Sequence, residues 1–198
     1  VMKGYYKNEA ATSETVKDGW LFTGDLGYMD EDDFLVVVGR EKALLISEDG
    51  EKYSPEEIEE AIVNSSTCIE QIMIYNDHQK YTTALITLNK KAVEEMIVKE
   101  GVKTFEALNK QLKIEMLLFS KQKEFQGKFP GKWIPSNFQV VKEPFSEDNQ
   151  MINSTLKMVR HKITETYQNR LDLMYGAKAQ EKAQLENIKM LQDLVSLS

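Results

Sequence analysis

The chain has 198 residues, 41% of them hydrophobic, enough to bury the core of one domain with an appendage. Its formal net charge of −7 argues against a role that depends on coating nucleic acid, which needs a concentrated basic face. A single cysteine, Cys68, rules out an intrachain disulfide framework and a cysteine-based zinc cluster, and it fits a reducing, cytoplasmic setting.

In chain order, the opening from Val1 to Tyr6 is strand-like and begins on Val, which reads as a fragment whose polypeptide starts further upstream. Residues 20 to 40 read as a hairpin, with Trp20-Leu21-Phe22, a Thr23-Gly24-Asp25 turn, Leu26 to Met29, an acidic turn from Asp30 to Asp33, and Phe34 to Val38. A second hairpin follows, with Ala43 to Ile46 and Glu51 to Tyr53 as strands and Asp49-Gly50 as the turn, where Gly50 supplies a positive φ. Ser54-Pro55-Glu56-Glu57 predicts a capped helix start, with Glu57 completing a capping box and Ile58, Ala61 and Ile62 forming the buried stripe.

Ile69 to Tyr75 and Thr82 to Leu88 are further strands by their β-branched content. Helices are predicted from Lys90 to Glu100 and from Thr104 to Phe125, the second with Phe105, Leu108, Leu112, Met116 and Phe119 on one face. Gly127 to Ser136 is a loop, Phe138 to Val141 a short strand, and Ser154 to Tyr175 the last strong helix. The fold class expected is α+β, a small α/β domain with helices on a short, mostly antiparallel sheet. In the tail, Leu185, Ile188, Leu191 and Val195 fall at helical spacing and predict a helix that needs a partner surface, in its own chain or in another. No apolar run approaches the roughly 20 residues of a spanning helix, which leaves peripheral membrane association open.

Taken singly, Asp25, Arg40 and Lys42 are polar residues of turns and surfaces. Neither His78 nor His161 has a metal-ligand spacing or a nucleophile near it, and both read as surface residues, while Cys68 reads as buried packing. Order and spacing change the meaning of the first three. The runs Gly4-Tyr5-Tyr6-Lys7-Asn8, Asp18-Gly19-Trp20-Leu21-Phe22-Thr23-Gly24-Asp25-Leu26-Gly27, Gly39-Arg40-Glu41-Lys42, Gly50 to Glu59 and Thr155-Leu156-Lys157 together resemble the adenylate-forming superfamily, in wording closest to long-chain fatty acyl-CoA synthetases.

The resemblance implies a β-hairpin remnant of a large amino-terminal domain over 1–40, the AMP-binding enzyme carboxy-terminal domain over 41–175, and a helical tail over 176–198. It implies that Asp25 binds the ribose hydroxyls of ATP and that Arg40 also contacts the nucleotide, roles suited to a two-oxygen acceptor and a rigid donor fork. Lys42 would be the hinge pivot, Lys157 the catalytic lysine of acid activation, and Gly50 part of the channel for the pantetheine arm of CoA. Many superfamily members carry Gly immediately before this lysine and a basic residue soon after; here Leu156 and Val159 stand there, so Arg160 competes with Lys157 for the role.

The implied activity is that of an ATP-dependent, AMP-forming long-chain fatty acid–CoA ligase, with fatty acid, ATP and CoA as small-molecule substrates. Magnesium would be held by the missing domain, and the fragment alone would be inactive. Lys128, Lys132 and Arg160 are offered for the coenzyme's phosphates. Three alternatives stay open: adenylation of another acid, a carrier-protein or luciferase-like outcome, and a non-catalytic interaction module or homo-oligomer formed through the tail helix.

Overall fold

The computed structural model describes residues 2–197, with the side chains of Val38 and Lys42 outside that description. Residues 1–44 form one compact unit and residues 45–198 another.

The first unit opens on a helix, not a strand. Asn8 caps α1 (Glu9–Thr15), its Oδ1 accepting from the Ala11 amide at 3.0 Å. The helix is short and buries no residue, so no apolar period announced it. β1 (Val16–Lys17) and β2 (Trp20–Leu21) pair antiparallel around Asp18 and Gly19, whose φ values of +52° and +81° suit a two-residue hairpin turn. Trp20 therefore pairs backwards with Lys17, not forwards into the next hairpin as expected. That hairpin consists of β3 (Asp25–Met29) and β4 (Leu35–Arg40), and its acidic turn is closed by Asp30, whose Oδ1 accepts from the Asp32 and Phe34 amides. Asp25 is thus a strand residue and not part of a turn. Tyr6, Trp20, Phe22, Phe34 and Leu35 are all exposed in this unit.

The second unit is built on two small sheets. β5 (Leu45–Ser47) pairs antiparallel with β6 (Lys52–Tyr53) and parallel with β8 (Asp77–Gln79). β7 (Ile69–Tyr75) pairs antiparallel with β9 (Thr83–Leu88), which pairs parallel with β10 (Asn137–Val140). Both sheets are therefore mixed within the expected α+β class, because β8 and β10 are each reached from their parallel partner through a connection that contains helix and can return in either sense.

Side-chain alternation splits the core into two layers. Ile72, Ile74, Ala84 and Ile86 face one cluster with α2 (Glu56–Ser65), α3 (Lys90–Glu100) and α4 (Phe105–Met116). Met73 and Leu85 face the other, with Ile163, Leu171 and Met174 from α5 (Arg160–Leu173) and its end. The tail helix α6 (Ala179–Leu194) serves both layers, placing Ala183 in one and Leu191 in the other. Its buried stripe is Ala179, Ala183, Asn187 and Leu191, while Leu185 stays exposed. The tail helix thus packs on a surface of its own chain.

Three helix boundaries also differ. Ser54 makes no cap: Pro55 stands at the N-cap without a side-chain bond, its carbonyl accepting from Glu59, and Glu57 pairs with Lys128 instead of closing a capping box. α4 starts on a Thr104 cap, as its side-chain bond to the Ala107 amide shows, but stops at Met116. Tight turns then bring Phe119, Phe125 and Phe129 together with ring centroids about 6 Å apart. α5 begins only at Arg160, so Ser154 to Lys157 lies outside it.

Candidate functional site

In the first unit the structure brings Asp25 and Arg40 together. They face each other across β3 and β4, with Arg40 Nε 3.1 Å from Asp25 Oδ1. Thr23 Oγ accepts from the Asp25 amide at 3.1 Å, and Gly24 O accepts from the Glu41 amide at 2.9 Å, which fixes the strand ends that carry the pair. Both side chains are partly open to solvent, so the ion pair is weak in stability terms. What it does is orient a carboxylate whose second oxygen accepts nothing from the described residues.

Immediately after this pair, Glu41–Ala43 forms a single 3₁₀ turn between two extended residues, Arg40 and Leu44. The candidate hinge residue Lys42 lies within it, and its side chain falls outside the described part.

The Gly50 hairpin is held from the side. Gly50 adopts φ +81°, its amide donates to Ser47 O at 2.9 Å, and a Cβ built there would meet nothing within 4 Å. Asp49 Oδ1 accepts from Ser47 Oγ at 2.6 Å and from the Glu51 amide at 3.2 Å. Lys132 Nζ reaches both Asp49 Oδ2, at 2.6 Å, and Glu51 Oε2, at 2.5 Å. The Trp133 indole N–H donates to the same Glu51 oxygen at 3.0 Å, and its ring stacks on Tyr53 with centroids 4.9 Å apart. Bonds from Lys132 hold the Asp49 and Glu51 carboxyls below the usual carboxylate range, and the same bonds push the Lys132 ammonium up.

Lys157 closes a tight turn of its own. Asn153 Oδ1 accepts from the Thr155 amide, the Thr155 hydroxyl and the Lys157 amide, at 3.0, 2.8 and 2.9 Å. The Asn153 amide donates back to Lys157 O at 2.9 Å, and Ile152 and Met158 bridge antiparallel at the base. Within this turn Leu156 takes φ +60° and is 82% exposed. Glycine adopts that conformation freely, which gives a backbone reason for the Gly found before this lysine in other superfamily members. Because Lys157 is not in a helix's first turn, its position is not set against a helix dipole as the predicted helix from Ser154 would require.

The competing cation, Arg160, is committed elsewhere. Its guanidinium pairs with the buried Glu59 and donates to Ile74 O at 3.1 Å, while Glu59 Oε1 accepts from the Ile74 amide at 2.7 Å. Burial pushes the Glu59 carboxyl up, and Arg160 and the Ile74 amide act against that push. Among the described residues, the Lys157 side chain meets no carboxylate.

Lys128, Lys132 and Arg160, offered above for coenzyme phosphates, are each paired with carboxylates. His78 pairs with Asp77 on an exposed strand, His161 is exposed, and burial pushes the Cys68 thiol up, away from a thiolate. Among the described residues, no three His, Cys, Asp or Glu side chains converge as a metal site, and no helix is long and apolar enough to cross a membrane.

Sequence reasoning missed the clamp on the Gly50 hairpin. Its partners lie about 80 residues apart in the chain, beyond the reach of any local spacing, and the only signal was an acidic hairpin beside a Lys-Trp pair in a loop.

Comparison with known proteins bears on these positions. Residues 42–122 match the model of the AMP-binding enzyme C-terminal domain. This segment is an AMP-binding enzyme C-terminal domain. The Arabidopsis thaliana protein named probable acyl-activating enzyme 16, chloroplastic, is 32% identical over 192 residues, covering 88% of this chain and 26% of that protein. A long-chain-fatty-acid–CoA ligase of Mycobacterium tuberculosis is 28% identical over 180 residues, covering 89% of this chain and 30% of its own length. The adenylation domain of a carboxylate reductase from Mycobacterium chelonae shares the fold with a TM-score of 0.74 at 24% identity, over 87% of this chain and 26% of that one. The chain with this AMP-binding C-terminal domain thus spans about a quarter to a third of the length of these relatives.

Proposed function

We propose that this chain is the carboxy-terminal part of an AMP-forming long-chain fatty acid–CoA ligase, to which it contributes a nucleotide-gripping pair, a hinge, a mobile lysine and a thiol-channel hairpin. The observation that carries the reading is Lys157: an exposed ammonium without a carboxylate partner among the described residues, on a turn fixed by three bonds to one asparagine. The relatives named as fatty acid–CoA ligases support the acid and the acceptor. The exposed aromatic residues of the first unit support packing against an upstream part of a longer enzyme, as the length of the relatives does.

In the first half-reaction a carboxylate oxygen of the fatty acid attacks the α-phosphorus of ATP. The α–β phosphoanhydride bond breaks and pyrophosphate leaves. The Asp25 carboxylate accepts from the ribose hydroxyls while Arg40 holds it in place. Lys157 neutralises charge that grows on the carboxylate and α-phosphate oxygens. Magnesium would shield the phosphates of ATP; among the described residues no three carboxylates converge to hold it, so its ligands would lie in an upstream part.

In the second half-reaction the CoA sulfur attacks the acyl carbon, the bond to the phosphate oxygen breaks, AMP leaves, and the thiol proton passes to solvent. The tip of the hairpin at Gly50, which has no side chain and no neighbour within 4 Å of a would-be Cβ, lets the pantetheine arm run close to backbone. The 3₁₀ turn at Glu41–Ala43 is the pivot between the two arrangements.

The test is Lys157→Ala in the full-length enzyme. Adenylate formation, followed by pyrophosphate exchange, falls by roughly a hundredfold or more, while supplied acyl adenylate and CoA still give thioester. Equal loss of both steps, or no loss of the first, overturns the assignment. The isolated chain is expected to consume no CoA with ATP and fatty acid.

A further inference from the structure

The Gly50 hairpin is fastened by a loop that lies about 80 residues further on, and the fastening is a network more than a single ion pair. Asp49 and Glu51, one on each side of Gly50, both take the Lys132 ammonium, at 2.6 and 2.5 Å. The neighbouring Trp133 adds an indole hydrogen bond to Glu51 and a stack on Tyr53 with an interplanar angle of 6°. From Tyr53 the network runs back to its start, because the Tyr53 hydroxyl meets Thr82 Oγ1 at 2.5 Å and Thr82 donates to the Lys132 carbonyl at 2.8 Å. Both residues of the loop thus bind the hairpin through side chains while the backbone between them is held to the sheet.

Each ion pair here is partly exposed and would contribute little alone. Their common donor, the stacked ring and the buried tyrosine give the tip one geometry: Lys132 holds both carboxylates, Trp133 binds Glu51 and stacks on Tyr53, and Tyr53 is tied to Thr82. The arrangement also uses up Lys132: two carboxylates share its charge, which leaves it poorly suited to grip a phosphate as well.

We propose that Lys132 and Trp133 are positioning residues for thiol transfer, holding the Gly50 hairpin in the shape that admits the pantetheine arm, and that Lys132 does not bind the coenzyme's phosphates. This rests on the reading of the hairpin given under Proposed function.

The experiment uses the full-length enzyme with Lys132→Met, Lys132→Arg and Gly50→Leu. It measures adenylate formation by pyrophosphate exchange, and thioester formation from supplied acyl adenylate with either CoA or pantetheine, a thiol that lacks the nucleotide and its phosphates. Lys132→Met is expected to leave adenylate formation unchanged and to lower kcat of thioester formation roughly ten- to hundredfold with both thiols, the scale of a misplaced reacting group. Lys132→Arg, which can still bridge two carboxylates, restores most of the rate.

A raised KM for CoA with pantetheine unaffected would make Lys132 a phosphate ligand and overturn the proposal. Unchanged thioester formation with both thiols, or a matching loss in both half-reactions, would overturn it too. Gly50→Leu separates the two levels. If it leaves thiol transfer intact, the channel reading of the hairpin fails; if it blocks transfer while Lys132→Met does not, only the positioning role fails.

Discussion

Glu59 and Arg160, 101 residues apart, meet at the free edge of β7 and together satisfy both backbone groups of Ile74. The opposite edge of the sheet is closed the same way, with Asn187 accepting from the Val140 amide at 2.8 Å and donating to the Phe138 carbonyl at 3.1 Å. Unpaired strand edges invite pairing with other chains, and buried ones cost free energy, so these side chains do the work of absent strands. Arg160 also opens α5 three residues after Lys157, so the same ion pair anchors the segment on which the candidate lysine is carried.

Removing one partner of that buried pair leaves the other charge uncompensated. Arg160→Met or Glu59→Gln is expected to cost about 3–5 kcal/mol in urea unfolding of the second unit. The double variant should cost clearly less than the sum, as expected for coupled neighbours. Additive losses in the double-mutant cycle would show that the two side chains act separately.

Leu156 offers a test of backbone strain beside the lysine. At φ +60° a leucine side chain costs about 1–2 kcal/mol relative to glycine, which the greater freedom of glycine in the unfolded chain largely offsets. Leu156→Gly is therefore expected to lie within about 1 kcal/mol of the parent. Leu156→Val, β-branched at a positive φ, should be clearly less stable than either. Thermal unfolding of the three proteins decides this, and a stabilising valine would contradict the φ assigned here.

The tail helix contributes to the core through a narrow stripe. Truncating the fully buried Leu191 to Ala is expected to cost about 2–5 kcal/mol. Leu185→Glu, at an exposed position of the same helix, should change stability by no more than about 0.5 kcal/mol. Denaturant midpoints at matched slope give both values. A reversed ranking would mean that α6 packs through its other face.

The hairpin clamp should release in acid. Lys132 holds the Asp49 and Glu51 carboxyls below their usual values, so the folded state binds fewer protons there than the unfolded chain. Stability from these groups is then fully present above the unfolded values of about 4 and is lost as pH falls through the depressed folded ones. At the other end, the raised Lys132 contributes below its unfolded value near 10.4 and is lost as pH rises past the folded one. The Trp133 indole N–H resonance of the folded protein should stay constant from about pH 4 to about pH 10 and shift only below and above that range, where the depressed carboxyls and the raised ammonium titrate. In Lys132→Met the acid shift should move up toward ordinary carboxylate values.

Several features of this protein follow from local sequence. Gly50 after Asp49 demanded a turn with a positive φ, and the turn is there because only glycine takes φ +81° without strain. The apolar period of Ile58, Ala61 and Ile62 fixed the buried face of α2, and β-branched content marked the stretches that form β7 and β9 as strands. The ordered motifs also pointed to the family before any contact was known.

Other features were decided only when distant segments met. Whether Glu57 caps its helix or pairs with Lys128 is a competition between a local bond and one across 71 positions, and the packing of the phenylalanine turns settled it. Lys128, Lys132 and Arg160 look alike as letters, yet tertiary contacts commit each to a carboxylate, whereas Lys157 stays uncommitted among the described residues. Of the tail stripe read as Leu185, Ile188, Leu191 and Val195, Leu191 and Val195 are buried, whereas Leu185 is exposed and Ala183 and Asn187 are buried with them, because close approach of α6 to β10 needs a small residue and an amide to meet the strand's free backbone. Periodicity states that a helix has an apolar side; the shape and hydrogen-bonding needs of the opposing surface decide which side it is.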